Sequence, residues 1–272
     1  MKSSIIVIKE QIKYFYLIRR LSLYELKSTN NNNYLGMLWE LLNPAIQISI
    51  YWFVFGVGIR GNKVGAGGMD FFPWMLSGIV VWFLFNQGLI QASKSIYTKI
   101  KMLSKMNFPM SVIPSYVIFS KFYPHLLLLA LVSAILTILG YPINIYYLQL
   151  PIYMGAVLAL LYSLSLILST LSTIVRDVQM FLQSVLRMLL YLSPILWDIT
   201  QLGQDLAWLK VIMKINPFYY IVEGYRTSLL GQGWYFIDHW QYTLYFIGVI
   251  AGLFIIGSAL HVKFRRHFID FL

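Results

Sequence analysis

Six separate stretches of this 272-residue chain are apolar over about the length that a bilayer-crossing helix requires, roughly 20 residues. They run about Met37 to Ile59, Phe71 to Ala92, Val112 to Leu139, Leu148 to Val175, Val178 to Ile199 and Tyr242 to Val262. The third is interrupted by Lys121 and Pro124, and the fifth carries Arg187 and Pro194. Little polar chain remains between them to coat a soluble core. Hydrophobic residues make up 59% of the sequence and charged residues only 11%, against roughly a quarter charged in soluble domains. The pattern predicts an all-α integral membrane protein with six transmembrane helices.

The distribution of basic residues sets its expected orientation, because Lys and Arg of short loops favour the cytoplasmic side. With the N-terminus inside, the cytoplasmic segments hold Lys2, Lys9, Lys13, Arg19, Arg20, Lys27, Lys94, Lys99, Lys101, Lys105, Arg176, Lys263, Arg265 and Arg266. The outer segments hold only Arg60, Lys63, Lys210, Lys214 and Arg226. This asymmetry predicts a multi-pass protein of the cell membrane with both termini in the cytoplasm. It also accounts for the net charge of +11 through basic loops lying against anionic lipid, so no nucleic-acid partner is expected. The absence of cysteine excludes disulfides, thiolate metal sites and thiol nucleophiles.

Residues 1–33 precede the first span and form a separate unit from 34–272. Ile5, Ile8, Ile12, Phe15, Ile18 and Leu21 recur every three or four residues, while Lys9, Lys13, Arg20 and Lys27 share another face. The spacing predicts an amphipathic helix lying in the cytoplasmic interface, with a solvated helix as the alternative. Ser28 to Asn33 reads as a connector. The late first apolar run and the charged segment before it predict no secretory signal.

Catalytic signatures are missing. The stretch Gly61-Asn-Lys-Val-Gly-Ala-Gly-Gly68 lacks the Gly-Lys-Ser/Thr ending of a P-loop. His125, His239, His261 and His267 have no metal-ligand spacing. No nucleophile elbow is present. The chain therefore reads as a non-enzyme with no cofactor or metal of its own.

Four regions carry functional expectations. The basic loop from Lys94 to Pro109 contains Ile100, Met102, Leu103, Met106 and Phe108, which suits a short helix presented to a partner protein or one dipping into headgroups. Lys121 and Arg187 are charges inside spans, which either face a polar path, where Arg suits phosphate, or snorkel to an interface. Between the fifth and sixth spans, Leu206 to Ile215 and Ile221 to Leu230 flank Asn216-Pro217-Phe218-Tyr219-Tyr220. Neither apolar piece is long enough to cross, so two short re-entrant helices or an external cap are expected, with Glu223 and Arg226 paired on one face. Among the abundant aromatics, Trp39 and Tyr191 are either interfacial belt residues or walls of a sugar passage. Gly248 and Gly252 hint at close helix packing.

Several of these pieces together resemble a family. They are Tyr34-Leu-Gly-Met-Leu-Trp-Glu-Leu-Leu-Asn-Pro44, Lys105-Met-Asn-Phe-Pro109, Leu192-Ser-Pro-Ile195, Asn216-Pro-Phe-Tyr-Tyr220 and Glu223-Gly-Tyr-Arg226. In order, over nearly the whole chain, they resemble the type-2 ABC exporter permeases that move lipid-linked polysaccharides. Tyr51-Trp-Phe-Val-Phe-Gly-Val-Gly-Ile-Arg60 and Phe71-Phe-Pro-Trp74 are most similar to the teichoic acid translocation permeases of Gram-positive bacteria; O-antigen and capsule exporters share much of the pattern. The resemblance implies a homodimer bound to two copies of a separate ABC ATP-binding subunit, which carries the ATP and Mg2+. It implies ATPase coupling through Ile100, Lys101, Met102, Leu103, Ser104, Lys105, Met106, Asn107 and Phe108. It also implies a path for a lipid-linked anionic polymer between the first and fifth spans, near Arg187, Lys121, Trp39 and Tyr191. An outer gate is expected at Pro194, Asn216, Pro217, Tyr219, Glu223 and Arg226. An ion-coupled secondary transporter is the alternative in another class, and the near absence of acids within the spans counts against it.

Overall fold

The structure is a computed structural model that describes residues 2–31, 34–59, 69–103, 109–197 and 207–268. Every regular element among them is helical. Helix α1 (Lys2–Lys13) and α2 (Phe15–Asn30) precede α3 (Trp39–Tyr51), whose winding widens to a π-helix over Trp52–Ile59. Helices α4 (Phe71–Leu103), α5 (Val112–Ile138), α6 (Leu150–Ile174) and α7 (Val178–Leu192) follow. The chain ends with α8 (Ala207–Ile215), α9 (Pro217–Leu230), the single turn α10 (Tyr235–Asp238) and α11 (Trp240–Phe264).

Five stretches of helix are long and apolar enough to cross a bilayer: Gly36–Ile59, Phe71–Lys99, Val112–Ile138, Ile145–Ile174 and Trp240–His267. They match the expected spans one, two, three, four and six. The fifth expected span is shorter than its apolar run. Helix α7 stops at Leu192 because Ser193 takes an extended backbone (ψ 142°) just before Pro194, where a proline disfavours helical geometry in the residue ahead of it. Its 15 residues cover about 22 Å at ~1.5 Å per residue, short of a hydrocarbon core of about 30 Å.

Helix α4 is the axis of the bundle. Of its most apolar window 78% is buried, against 17% for the windows of the first and last spans. Helices α5, α6 and α9 surround α4, and α11 lies against α6. The α6–α11 contact is close at Gly257, where a Cβ would come 3.0 Å from the Ser163 carbonyl oxygen. Gly248 and Gly252, the pair singled out in the sequence, face open space instead.

The N-terminal segment is two helices bent at Tyr14. The helical ladder still runs through the bend, with Tyr14 N–H donating to the Glu10 carbonyl and Ile18 N–H to that of Tyr14. The bend lets α1 follow the end of α11 while α2 follows α5. Along α1 and the start of α2, Ile5, Ile8, Ile12 and Phe15 face outward, and Ser4, Val7, Ile18 and Ser22 are buried. The apolar stripe read from the sequence is thus exposed over most of its length, and only its later part joins a core.

Candidate functional site

At the end of the bundle where α4 leads towards α5, the N-terminal helices, α4, α5 and α11 are tied together. Ile18, Ile96, Ile113, Tyr116, Val117 and Phe268 form a second apolar core. Around it, Glu10 takes an ion pair from Arg265 at 2.7 Å and a hydrogen bond from the Ser111 hydroxyl. Gln11 accepts from Ser115 Oγ at 2.6 Å, and Lys99 pairs with Glu25. Both described chain ends therefore converge on the face where the expected coupling loop begins. Of that loop, Ser104, Lys105, Met106, Asn107 and Phe108 lie outside the described residues, as do the side chains of Ile100, Lys101, Met102 and Leu103.

Above this end, α2, α3, α4 and α5 surround a cavity of about 490 Å3. Its walls include Asn30, Trp39, Glu40, Asn43, Gln87, Gln91 and Lys121. Lys121 Nζ sits 2.8 Å from Glu40 Oε1, and Asn30 Nδ2 donates to the same carboxylate oxygen at 3.4 Å. Two of the expected path residues, Lys121 and Trp39, are brought together here, with the Lys121 charge matched by Glu40. Gln87 and Gln91 escaped sequence reasoning because single amides inside a long apolar run leave its hydropathy almost unchanged. A separate small cavity of about 20 Å3, lined by Glu40, Gln87 and Lys121 as well, reaches His125, whose Nε2 lies 3.0 Å from the Tyr225 hydroxyl.

Arg187 and Tyr191 sit elsewhere. They belong to an exposed stripe on α7 that also includes Gln183 and Ser184, while Leu182, Leu186 and Leu190 are buried on the opposite side. Arg187 Nε donates to the Gln183 carbonyl at 3.3 Å, and the Tyr191 carbonyl accepts from Trp197 Nε1 at 2.8 Å.

The residues expected at the outer gate assemble around α9. Asn216 caps this helix, its Oδ1 accepting from Phe218 N–H at 3.0 Å, and Pro217 occupies the first turn, where no N–H is needed. The left-handed Gly231 (φ 71°) closes its other end. Helix α9 runs antiparallel to the first half of α4. Arg226 meets Trp74, Val222 meets Gly78 and Phe218 meets Trp82, each turn back along one helix matching a turn forward along the other. Arg226 is 3% exposed. It lies 3.8 Å over the Trp74 ring, pairs with Glu223, and donates to the carbonyl of Pro194 at 3.0 Å and to that of Trp74 at 3.4 Å. Asn216 Nδ2 reaches Ser193 Oγ at 3.4 Å, so the end of α7 meets the start of α9.

Beside α9, a second polar cavity of about 580 Å3 is lined by Lys214, Tyr219, Glu223, Tyr235, Asp238, Tyr242 and Tyr245, among others. Tyr242 and Tyr245 hydroxyls donate to the carbonyls of Lys214 and Ile215, each at 2.7 Å, latching the last turn of α8 to α11. Burial, and then the charge of Glu223, push the Tyr235 phenol far above its ordinary range, so it stays protonated.

The described residues form a multi-pass helical membrane protein, built on a buried central helix with a short helix docked along half of it. The chain belongs to the ABC-2 type transporter family, whose pattern matches residues 16–230. It is 24% identical over 222 residues to an O-antigen export system permease protein RfbA of Myxococcus xanthus, covering 81% of this chain and 83% of the relative. A protein of the same name from Klebsiella pneumoniae is 24% identical over 251 residues, 91% of this chain and 92% of the relative.

Proposed function

We propose that this chain is the membrane subunit of an ATP-driven exporter that moves a lipid-linked polysaccharide across the cell membrane, acting as a homodimer with two separate ATP-binding subunits. Family membership supports the class. The observation that carries the path is the stripe Gln183, Ser184, Arg187 and Tyr191, exposed along α7. Lipid disfavours polar side chains within a span, which supports a water-filled path or a second copy on this face. The exposed face of α11, by contrast, holds Leu244, Ile247, Ile255 and Ile256 and suits lipid directly.

In this reading the polymer enters laterally between the first and fifth spans, with Arg187 meeting phosphate. The segment 100–108 seats in the ATPase, and the basic N-terminal helices contact it from the cytoplasmic side. A sixth crossing is composite, with α7 covering the inner half and α9 the outer half. The relatives' names support an O-antigen-like polysaccharide over a teichoic acid, which rests on the resemblance of residues 51–60 and 71–74 alone.

The direct test is depletion of the protein followed by analysis of the lipid-linked material trapped inside. A sugar-only glycan is expected. Glycerol- or ribitol-phosphate chains would restore the teichoic acid reading. Full activity of a partnerless chain driven by a proton gradient would overturn the class. Arg187→Ala is expected to lower polymer-stimulated ATPase activity, and normal stimulation would remove Arg187 from the path.

A further inference from the structure

The cavity between α2, α3, α4 and α5 has a chemistry that its one cation conceals. Lys121 would mark an anion site if its charge were free, but Glu40 lies 2.8 Å away and neutralises it. The remaining polar walls are amides and the hydroxyl of Thr29, which is spent on the Glu25 carbonyl. Asn43, Gln87 and Gln91 line the space, and among the described residues none of their side-chain amides has a hydrogen-bond partner. Each offers an N–H2 donor pair and a carbonyl acceptor, and Trp39 adds an aromatic wall. A volume of about 490 Å3 falls within the ~300–1,000 Å3 of small-ligand sites. Lys121 stands nine residues into α5, after Val112, which places the cavity about 14 Å from that helix end at ~1.5 Å per residue. That puts the cavity in the half of α5 nearer the coupling loop.

We propose that this cavity is a carbohydrate-recognition site, which binds the sugar nearest the lipid diphosphate through the uncharged amides of Asn43, Gln87 and Gln91. The proposal rests on the exporter reading above. With Lys121 neutralised by Glu40, this site reads hydroxyl and acetamido groups rather than phosphate. Such groups exchange donor and acceptor bonds with amides without requiring a net charge.

The test uses the complete permease–ATPase complex in lipid nanodiscs with two probes, a polyprenyl diphosphate and the same lipid carrying one N-acetylglucosamine. ATPase stimulation is titrated with each. The wild-type complex is expected to respond to the sugar-bearing lipid at a concentration roughly tenfold lower, a preference worth one decade of affinity. Gln91→Leu and Asn43→Leu are expected to erase most of that preference while leaving the response to the bare lipid. Asn43 is exposed, so Asn43→Leu carries the comparison if Gln91→Leu disturbs assembly, which basal ATPase activity reports. Glu40→Gln leaves Lys121 uncompensated and is expected to strengthen the response to bare diphosphate. A sugar preference that survives both leucine variants would overturn the site and leave the exporter reading standing. Equal wild-type responses to the two probes would also overturn the site. No response to either probe would overturn the exporter reading and the site together.

Discussion

Arg226 shows what single side chains contribute here. It sits on a Trp74 ring face, pairs with Glu223, and closes two backbone carbonyls from other segments. The planar fork of a guanidinium suits such a position, and an ammonium does not reproduce it. Arg226→Met removes the cation beside a mostly buried carboxylate and should cost about 3 kcal/mol, the lower end for breaking a buried pair. Arg226→Lys keeps the charge but loses the carbonyl contacts, about 1–2 kcal/mol. Apparent Tm of the purified protein should therefore fall in the order wild type, Lys, Met; a Lys variant as stable as wild type would deny the carbonyls any role. The three-residue spacing of Glu223 and Arg226 was legible in the sequence. Trp74 and Pro194 were not, because the chain brings them from 152 and 32 residues away.

At the scale of elements, long apolar runs were readable and junctions were not. Helices α5, α6 and α11 begin and end within a few residues of their apolar limits, because a bilayer-length run has few alternatives to a helix. The fifth run was read too long, since Ile195, Leu196 and Trp197 continue its hydropathy past the backbone break at Ser193. Helix α9 misleads in the other direction. An external cap is one expectation for this segment, yet Tyr219, Tyr220 and Tyr225 are buried against neighbouring helices. Closeness to α6 is enforced at Gly224, where a Cβ would come 2.2 Å from the Tyr153 ring. Gly224→Leu should therefore push α9 off α6, seen as trypsin cleavage at Arg226, a site closed in the wild type. Asn216→Ala removes the cap and its tie to Ser193, and should cost about 1 kcal/mol in the same thermal assay.

For the whole molecule, the chemistry of the open faces separates those that suit lipid from those that suit protein. The most apolar windows of the first and last spans are equally exposed, 17% buried each, but Asn43, Gln47 and Ser49 of the first span and the stripe on α7 place polar groups outward. If a second copy covers both, single cysteines at Ile50 and Met188 should cross-link into dimers with an oxidant, while one at Ile255 on α11 should not. The native chain contains no cysteine, so every cross-link would report an introduced pair. Monomer alone at all three positions would count against the homodimer. The docking of α9 along the first half of α4 also has a consequence for how the protein is made. A helix of 14 residues is too short for the insertion machinery to recognise as a span, which takes about 20 residues. It also carries Glu223 and Arg226, which that machinery disfavours. If α7 and α9 make up the proposed composite crossing, helix α9 reaches its seat after translocation decisions are complete, drawn in by an α4 already in the bilayer. Biogenesis would then proceed in two acts, and a ribosome-stalled chain ending near Leu230 should hold α9 outside the bundle.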